Sequence, residues 1–183
     1  MSPVAIAVII IAVLVIIGVA VTLLRRRNRD RLRKDFGPEY EREVREAGGD
    51  RLKAESALLK REKRVEKFDI RSMPAEQRAR FADEWQQVQA RFVDDPERAI
   101  ALADALVGEV MKARGYPVED FEQRAADLSV EHPGLVENYR AAHEIAVRHS
   151  RGQGGTEDLR NAMIGYRSLF EELLHADEPE LTH

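Results

Sequence analysis

The stretch of sequence that decides the fold class is residues 81–110, which read FADEWQQVQARFVDDPERAIALADALVGEV. Its large apolar side chains recur at spacings of four, three and four residues, which places them on one face of a helix. These side chains are Phe81, Trp85, Val88 and Phe92. The pattern then breaks at Asp95 and Pro96, a helix N-cap followed by a proline suited to a first turn, so a second helix begins there.

The same combination of apolar stripes and turn residues continues towards the C-terminus. The breaks fall at residues 115–117, 132–134 and 152–155. After the first 24 residues, no segment alternates with the period of two that is typical of a half-buried strand. We therefore predict an all-α fold in which residues 72–176 form an irregular antiparallel bundle of about five helices, followed by an acidic tail at residues 177–183.

Residues 36–71 are predicted to form a charged helical stalk before the bundle. Charged side chains of both signs occupy 18 of the 32 positions from residue 38 to residue 69. Such interleaving is typical of a solvated helix with ion pairs between residues four apart. Leu58 and Val65 lie one heptad apart, so a short coiled-coil seam that joins two chains in a homo-oligomer is a further hypothesis.

Residues 1–35 are predicted to hold a single transmembrane helix with a basic flank. From residue 4 to residue 24 there is no charged side chain, and fifteen of these 21 residues are Ile, Val or Leu. A helix of that length, at about 1.5 Å per residue, is about 31 Å long and matches the hydrocarbon core of a bilayer. The lipid bilayer is therefore the first predicted partner. A cleaved signal peptide is the alternative, but no basic side chain precedes the apolar run and no small-x-small cleavage site follows it.

Seven basic residues follow the apolar segment and decide the predicted orientation. They are Arg25, Arg26, Arg27, Arg29, Arg31, Arg33 and Lys34. Because basic flanks resist translocation, we expect the N-terminus outside the cell membrane and the C-terminal domain in the cytoplasm. The same residues could also hold the helix exit against anionic lipid.

The charge of the chain is divided between two parts. The whole chain carries −4 and residues 25–35 carry +5, so residues 36–183 carry −9. An acidic soluble part argues against sequence-independent binding to nucleic acid, which requires a basic surface. The chain has no cysteine, which excludes disulfides, thiolate catalysis and cysteine-ligated metal sites.

Four strings of the sequence carry a resemblance that spans nearly the whole chain. They are FGPEY at residues 36–40, RFVDDP at 91–96, GYPVEDFEQRAADLSV at 115–130 and TEDLR at 156–160. On these strings the chain resembles a group of uncharacterised single-pass membrane proteins of high-GC bacteria, often labelled hypothetical, membrane or secreted. The resemblance includes the N-terminal anchor and implies no catalytic residue.

No motif in the chain fixes a reaction, a cofactor or a metal, so no catalytic residue is predicted. His143 and Glu144 lack the second histidine of a zinc-protease helix because residue 147 is Val. His143 lies on an apolar stripe, which predicts a hydrogen-bonded core histidine. The alternative is a pocket between helices that is lined by Tyr139, His143 and Tyr166.

The turn before the third helix of the bundle is predicted to close the core, and the alternative is a recognition site for a partner protein. It is formed by Tyr116, Pro117, Asp120, Phe121 and Arg124. Aromatic side chains beside charges of both signs are common at protein interfaces, although packing of the rings into the core is the favoured interpretation. The spacing of Asp120, Arg124 and Asp127 also predicts an ion-pair ladder on the surface of that helix.

These features together predict a membrane-tethered, non-enzymatic protein-interaction module with an unidentified protein partner at the cytoplasmic membrane face. The alternative is an enzyme, or a sensor of a small ligand or metal, with its pocket between the helices of the bundle. No cofactor and no nucleic acid are predicted.

Overall fold

The computed structural model describes residues 3–117 and 119–176, with side chains from residue 12 onward. The described residues form eight α-helices and no strand, which confirms the all-α prediction. In chain order the helices are α1 (Pro3–Phe36), α2 (Pro38–Glu46), α3 (Arg51–Val65), α4 (Ala75–Asp94), α5 (Pro96–Ala113), α6 (Phe121–Glu131), α7 (Pro133–Ser150) and α8 (Thr156–His175). The predicted acidic tail, residues 177–183, lies outside the described residues.

The first helix ends at a glycine followed by a proline. α1 continues beyond the apolar segment to Phe36, and the chain turns at Gly37, with a φ of +48°, before Pro38 begins α2. Glycine suits this left-handed turn, and proline suits the first position of a helix. Within the part of the chain that the structure describes, no helix has both the length and the apolar character of a membrane span. The predicted membrane segment at residues 4–24 starts in a stretch whose side chains, up to residue 11, lie outside the description.

The chain divides into two compact units, Met1–Leu58 and Leu59–His183. The boundary lies inside α3, whereas the sequence predicts one stalk from residue 36 to residue 71. Residues 36–58 therefore belong to the first unit and residues 59–71 to the second. The boundary along the chain follows the packing of the side chains and not the density of charge.

In the first unit, a buried carboxylate joins three helices. Glu55 of α3 is 6% exposed, and it accepts hydrogen bonds from Arg29 Nε of α1 and from the Tyr40 hydroxyl of α2, both at 3.1 Å. Leu32, Phe36 and Tyr40 are buried as well. The part of the predicted stalk that lies in the first unit is thus packed rather than uniformly solvated. Its buried Glu55 has hydrogen-bond partners within that unit.

In the second unit, α4 to α8 contribute to one hydrophobic core. On α4, Phe81, Trp85 and Val88 of the predicted stripe are buried and Phe92 is partly buried. The Trp85 ring stacks on Phe170 of α8 with centroids 4.6 Å apart. Other buried residues of this core are Ile100, Val107, Leu128, Val136, Leu159 and Leu169. Each of the five helices turns an apolar face inward, as the helical period predicts.

The ends of α5 follow the predicted capping signals. Asp95 accepts a hydrogen bond from the backbone N–H of Arg98 at 3.1 Å, and Pro96 is the first residue of the helix. After the other end, Gly115 has a φ of +97°, and a Cβ atom there would lie 2.1 Å from the Asp69 carbonyl oxygen. Only glycine therefore allows the segment before α4 to run beside the end of α5.

Candidate functional site

A group of polar and aromatic side chains lies between four helices of the second unit and is called the Asp104 cluster. Its members are Asp104 of α5, Phe121 and Arg124 of α6, Tyr139 and His143 of α7, and Tyr166 of α8. Arg124 Nη2 donates to one Asp104 oxygen and the Tyr139 hydroxyl donates to the other, each at 3.2 Å. Both carboxylate oxygens of Asp104 are thus engaged by side chains of neighbouring helices.

Two local features of the sequence position the charged pair of this cluster. Gly108 lies one turn after Asp104 on α5, and a Cβ atom there would be 2.9 Å from Arg124 Nη1. The glycine therefore leaves room for the guanidinium group. On α6, the Asp120 carboxylate accepts from the backbone N–H of Gln123 at 3.0 Å, which fixes the start of the helix that carries Arg124.

Aromatic rings pack against the charged pair. Phe121 stacks on His143 with the ring planes 8° apart, and its ring centroid lies 4.8 Å from that of Tyr139. Tyr139 in turn meets Tyr166 edge to face at 5.7 Å. Both tyrosines are 0% exposed, whereas the Asp104 side chain is 26% exposed. The cluster is therefore sealed at its tyrosines and reaches solvent at its carboxylate.

Burial governs the protonation states in the cluster. It raises the pKa of Tyr139 above the usual range for tyrosine, and the Asp104 carboxylate adds to the increase. The pKa of Tyr166 rises for the same two reasons, although its hydroxyl has no well-aligned hydrogen bond among the described residues. Burial also lowers the pKa of His143, against the opposing influence of Asp104. At neutral pH the two phenols are therefore protonated and His143 is uncharged.

The three residues of the predicted pocket come together in this cluster as packed side chains. Tyr139 and Tyr166 are fully buried, and His143 is half-buried against Phe121. Open clefts of the second unit lie elsewhere. One cleft of about 430 Å³ is lined by Glu97, Arg98, Ile100, Ala101, His149 and Leu159 among others, and a second of about 250 Å³ is lined by Glu84, Val88, Arg91, Leu102 and Leu106 among others.

The predicted recognition turn is largely packed against the protein. Tyr116 is 2% exposed, and its hydroxyl donates to a carboxylate at the end of α6. Phe121 and Arg124 belong to the Asp104 cluster, and Pro117 is half-buried. Asp120 is exposed and caps α6. The five residues thus share one region of the chain, but Tyr116 offers no aromatic surface to a partner.

The ion pairs of α6 differ from the ladder that the helix spacing predicts. Asp127 is buried and accepts from Arg64 Nε at 3.0 Å, while Arg64 Nη2 reaches Glu119 at 2.7 Å. Arg124 turns to Asp104 instead. The predicted ladder is therefore wrong, because each member has a better-placed partner outside the helix or at its end.

The other histidines that the structure describes lie at helix ends. His132 ends α6 and precedes α7, and His149 lies in the last turn of α7 with its Nδ1 atom 3.0 Å from Glu97 at the 430 Å³ cleft. Across the residues with described side chains, no three His, Asp or Glu residues are grouped so that they could hold a metal ion.

In the first unit, the seven predicted membrane-flanking basic residues fall into two groups. Arg29, Arg31 and Arg33 form ion pairs with Glu55, Asp35 and Glu41, respectively. Arg25, Arg26, Arg27 and Lys34 are exposed and make no ion pair with the described residues. Before them, large apolar side chains from Val13 to Leu24 are exposed, with Ile16 at 67%.

No family model, curated protein or solved structure matches the chain. The resemblance to single-pass bacterial membrane proteins therefore stays a prediction, and the function has to be inferred from the chain's own residues.

Proposed function

We propose that the chain is a single-pass membrane protein whose cytoplasmic helical domain is a non-enzymatic interaction module. The observation that carries this proposal is the apolar segment of α1, which has no charged residue between residues 4 and 24 and exposes large side chains from Val13 to Leu24. Such a surface is unfavourable in water and favourable in hydrocarbon. Its Ile, Val and Leu residues contribute about −5 to −9 kcal/mol to insertion on a biological scale.

The charges on either side of the segment support an orientation. No charged side chain precedes residue 4, whereas residues 25–35 carry +5. Positively charged flanks stay on the cytoplasmic side, so the N-terminus lies outside and the second unit lies inside. A protein fixed there meets partners on the same membrane at a raised effective concentration.

The Asp104 cluster supports a binding role over a catalytic one. Both oxygens of its carboxylate accept hydrogen bonds, one from Arg124 and the other from Tyr139. Groups held in this way stabilise a scaffold, whereas a general base needs a free lone pair within reach of a substrate proton. Exposed apolar side chains at Val93, Leu102 and Ile164 are available for contacts with a partner protein.

Alkaline carbonate extraction of cell membranes tests the anchor. We expect the full chain to stay in the membrane pellet. A variant with Ile16→Arg and Ile17→Arg should be released, because each arginine adds about 2.5–3.5 kcal/mol at the centre of a span. The matched control, Val93→Arg with Ile164→Arg, changes two exposed apolar residues of the second unit and should stay in the pellet. Release of the unmodified chain would contradict the proposal.

Cross-linking in native membranes tests the interaction module. We expect a second protein to be captured with the full chain and to be lost when Val93 and Leu102 are replaced by glutamate. If no second protein is captured with the chain under any condition, the proposed interaction module would lose its support. Self-capture would instead support a homo-oligomer, but one that does not use the predicted seam, because Leu58 and Val65 are buried within the chain.

A small-ligand sensor is the alternative function, and the 430 Å³ cleft is the observation that favours it. Its floor is apolar at Ile100 and Leu159, and Arg98 and His149 stand among its polar residues, a combination common in ligand sites. A thermal-shift screen of metals and metabolites tests it with Ala101→Phe, which fills the cleft, as the control. A compound that stabilises the chain, but not this variant, would support the sensor, and a screen without such a compound would end that hypothesis.

A further inference from the structure

The basic flank of α1 contains two sets of three arginines that carry the same charge. One set has carboxylate partners within the chain and the other has none among the described residues. The proximal arginines are Arg25, Arg26 and Arg27, and the distal arginines are Arg29, Arg31 and Arg33. We propose that the proximal arginines bind the phosphate headgroups of anionic lipids, whereas the distal arginines are engaged by carboxylates of the first unit. This inference rests on the proposed membrane anchor and gives that anchor a lipid preference.

Each distal arginine already has a carboxylate partner. Arg29 donates to Glu55, which is buried and also accepts from the Tyr40 hydroxyl. The other two arginines pair with Asp35 and Glu41. A lipid phosphate would have to displace these carboxylates before it could use the distal guanidinium groups. Arg29 is therefore committed to a contact within the chain, and Arg31 and Arg33 are engaged in surface ion pairs.

The proximal arginines are free to bind a ligand from outside the chain. All three are exposed, and none forms an ion pair with the described residues. Consecutive residues of an α-helix point about 100° apart, so the three side chains cover about 200° of the circumference of α1. Each guanidinium can bind a phosphate through two parallel hydrogen bonds.

The position of the proximal arginines matches the depth of lipid phosphates. Arg25 directly follows Leu24, which ends the apolar segment. At about 1.5 Å per residue, the proximal set lies within about 5 Å of that end, whereas the distal set lies about 8 to 14 Å away. The headgroup layer on each side of the hydrocarbon core is about 5 to 7 Å thick. Only the proximal backbone therefore lies at headgroup depth when the apolar segment spans the core.

The lipid preference can be measured on the full chain reconstituted in phosphatidylcholine vesicles that contain phosphatidylglycerol. Electron spin resonance of spin-labelled lipids gives the association constant of phosphatidylglycerol relative to phosphatidylcholine. One basic residue near the surface contributes at most about fivefold, so we expect a preference of several-fold for the anionic lipid. Arg25→Gln, Arg26→Gln and Arg27→Gln together should bring the ratio close to unity.

The matched control removes the same charge from the distal set. Arg29→Gln, Arg31→Gln and Arg33→Gln together should keep the ratio within about twofold of the unmodified chain. If this variant does not fold, as judged by its helical circular dichroism, Arg31→Gln alone replaces it and is compared with Arg26→Gln alone. Equal losses from both sets would show that only net charge matters and would overturn the inference.

The remaining outcomes separate this inference from the anchor on which it rests. A chain that resists carbonate extraction from pure phosphatidylcholine vesicles, but shows no preference for phosphatidylglycerol, would overturn the inference and leave the anchor standing. A chain released from those vesicles would contradict the anchor itself. Loss of the preference on adding inorganic phosphate at constant ionic strength would identify free phosphate as the ligand and overturn the assignment to lipid.

Discussion

At the scale of single residues, Asp104 links α5 to α6 and α7 through two side-chain hydrogen bonds. Asp104→Asn would leave the mostly buried Arg124 guanidinium without its counter-charge. We expect this variant to lose about 2–3 kcal/mol of unfolding free energy, because a hydrogen bond to a charged partner is lost in a region of low solvent access. Urea unfolding of the full chain in detergent micelles measures the loss through the fluorescence of Trp85, the single tryptophan.

The control for Asp104 is a carboxylate that pairs on the surface. Glu171 accepts from Arg167 at 2.7 Å, but about half of each side chain is exposed. Glu171→Gln should therefore change the unfolding free energy by less than about 0.5 kcal/mol. If both variants lost a similar amount of unfolding free energy, Asp104 would contribute no more to stability than a surface carboxylate.

His143 gives the second unit a pH dependence with a defined sign. Burial lowers its pKa below the ordinary 6.5, with Arg124 acting in the same direction, while Asp104, Glu122 and Glu144 oppose the shift. As the pH falls, His143 binds a proton in the unfolded chain before it does so in the folded chain. The stabilisation that comes from its uncharged folded form is therefore complete above pH 6.5, and it is lost as the pH falls towards the lower pKa of the folded chain.

His143→Phe keeps an aromatic ring against Phe121 and removes the titrating group. The unfolding free energy of this variant should fall less steeply between about pH 7 and pH 5 than that of the unmodified chain. His132, whose pKa is also lowered by burial, should retain its own share of the pH dependence. Identical slopes for the two proteins would rule out the proposed contribution of His143.

The sequence could place His143 on an apolar stripe, but it could not predict which charged residues pair with each other. Asp104 and Arg124 are 20 residues apart, and Arg64 and Asp127 are 63 residues apart. Helical spacing reports neighbours on one helix only. The predicted ladder on α6 failed for this reason, since Arg124 and Asp127 have partners on other helices and Asp120 caps α6 itself.

At the scale of elements, α7 and α8 approach each other closely at Gly165. A Cβ atom there would lie 2.7 Å from the Asn138 carbonyl oxygen and 3.1 Å from Ala142 Cβ. Gly165→Ala should therefore destabilise the second unit by about 1–3 kcal/mol, although alanine is the better helix former. Urea unfolding followed by Trp85 fluorescence measures this change.

Gly134 provides the matched control for helix packing. It lies in the first turn of α7, and a Cβ atom there would meet nothing within 4 Å. Gly134→Ala should be neutral or slightly stabilising, because it gains helix propensity without a clash. If Gly165→Ala were as well tolerated as Gly134→Ala, the described packing of α7 on α8 would be incorrect.

The helices themselves were the most predictable part of the structure. Asp95 caps α5, Gly115 follows its end, and Gly37 with Pro38 separates α1 from α2, each from a local signal in the sequence. Such signals act through backbone geometry within a few residues, so they can be recognised without knowledge of the fold. The burial of Tyr116 depends on neighbours distant in sequence and could not be recognised in this way.

At the scale of the whole molecule, charge density alone did not predict the division of the chain. The segment at residues 36–71 reads as one charged stalk, yet Glu55 is buried in the first unit and Arg64 pairs with Asp127 in the second. A charged residue can be buried when an oppositely charged or hydrogen-bonding partner is buried beside it. The composition of a segment does not identify that partner.

We propose that the apolar segment of α1 crosses a membrane and leaves the second unit in the cytoplasm. The chain has no native cysteine, so single cysteines can report its topology without background. Ser2 precedes the apolar segment, and Gln153 is exposed between α7 and α8. In intact cells, a membrane-impermeant maleimide should label the Ser2→Cys variant at once and the Gln153→Cys variant only after the membrane is opened. Labelling of the Gln153→Cys variant in intact cells would contradict the proposed topology.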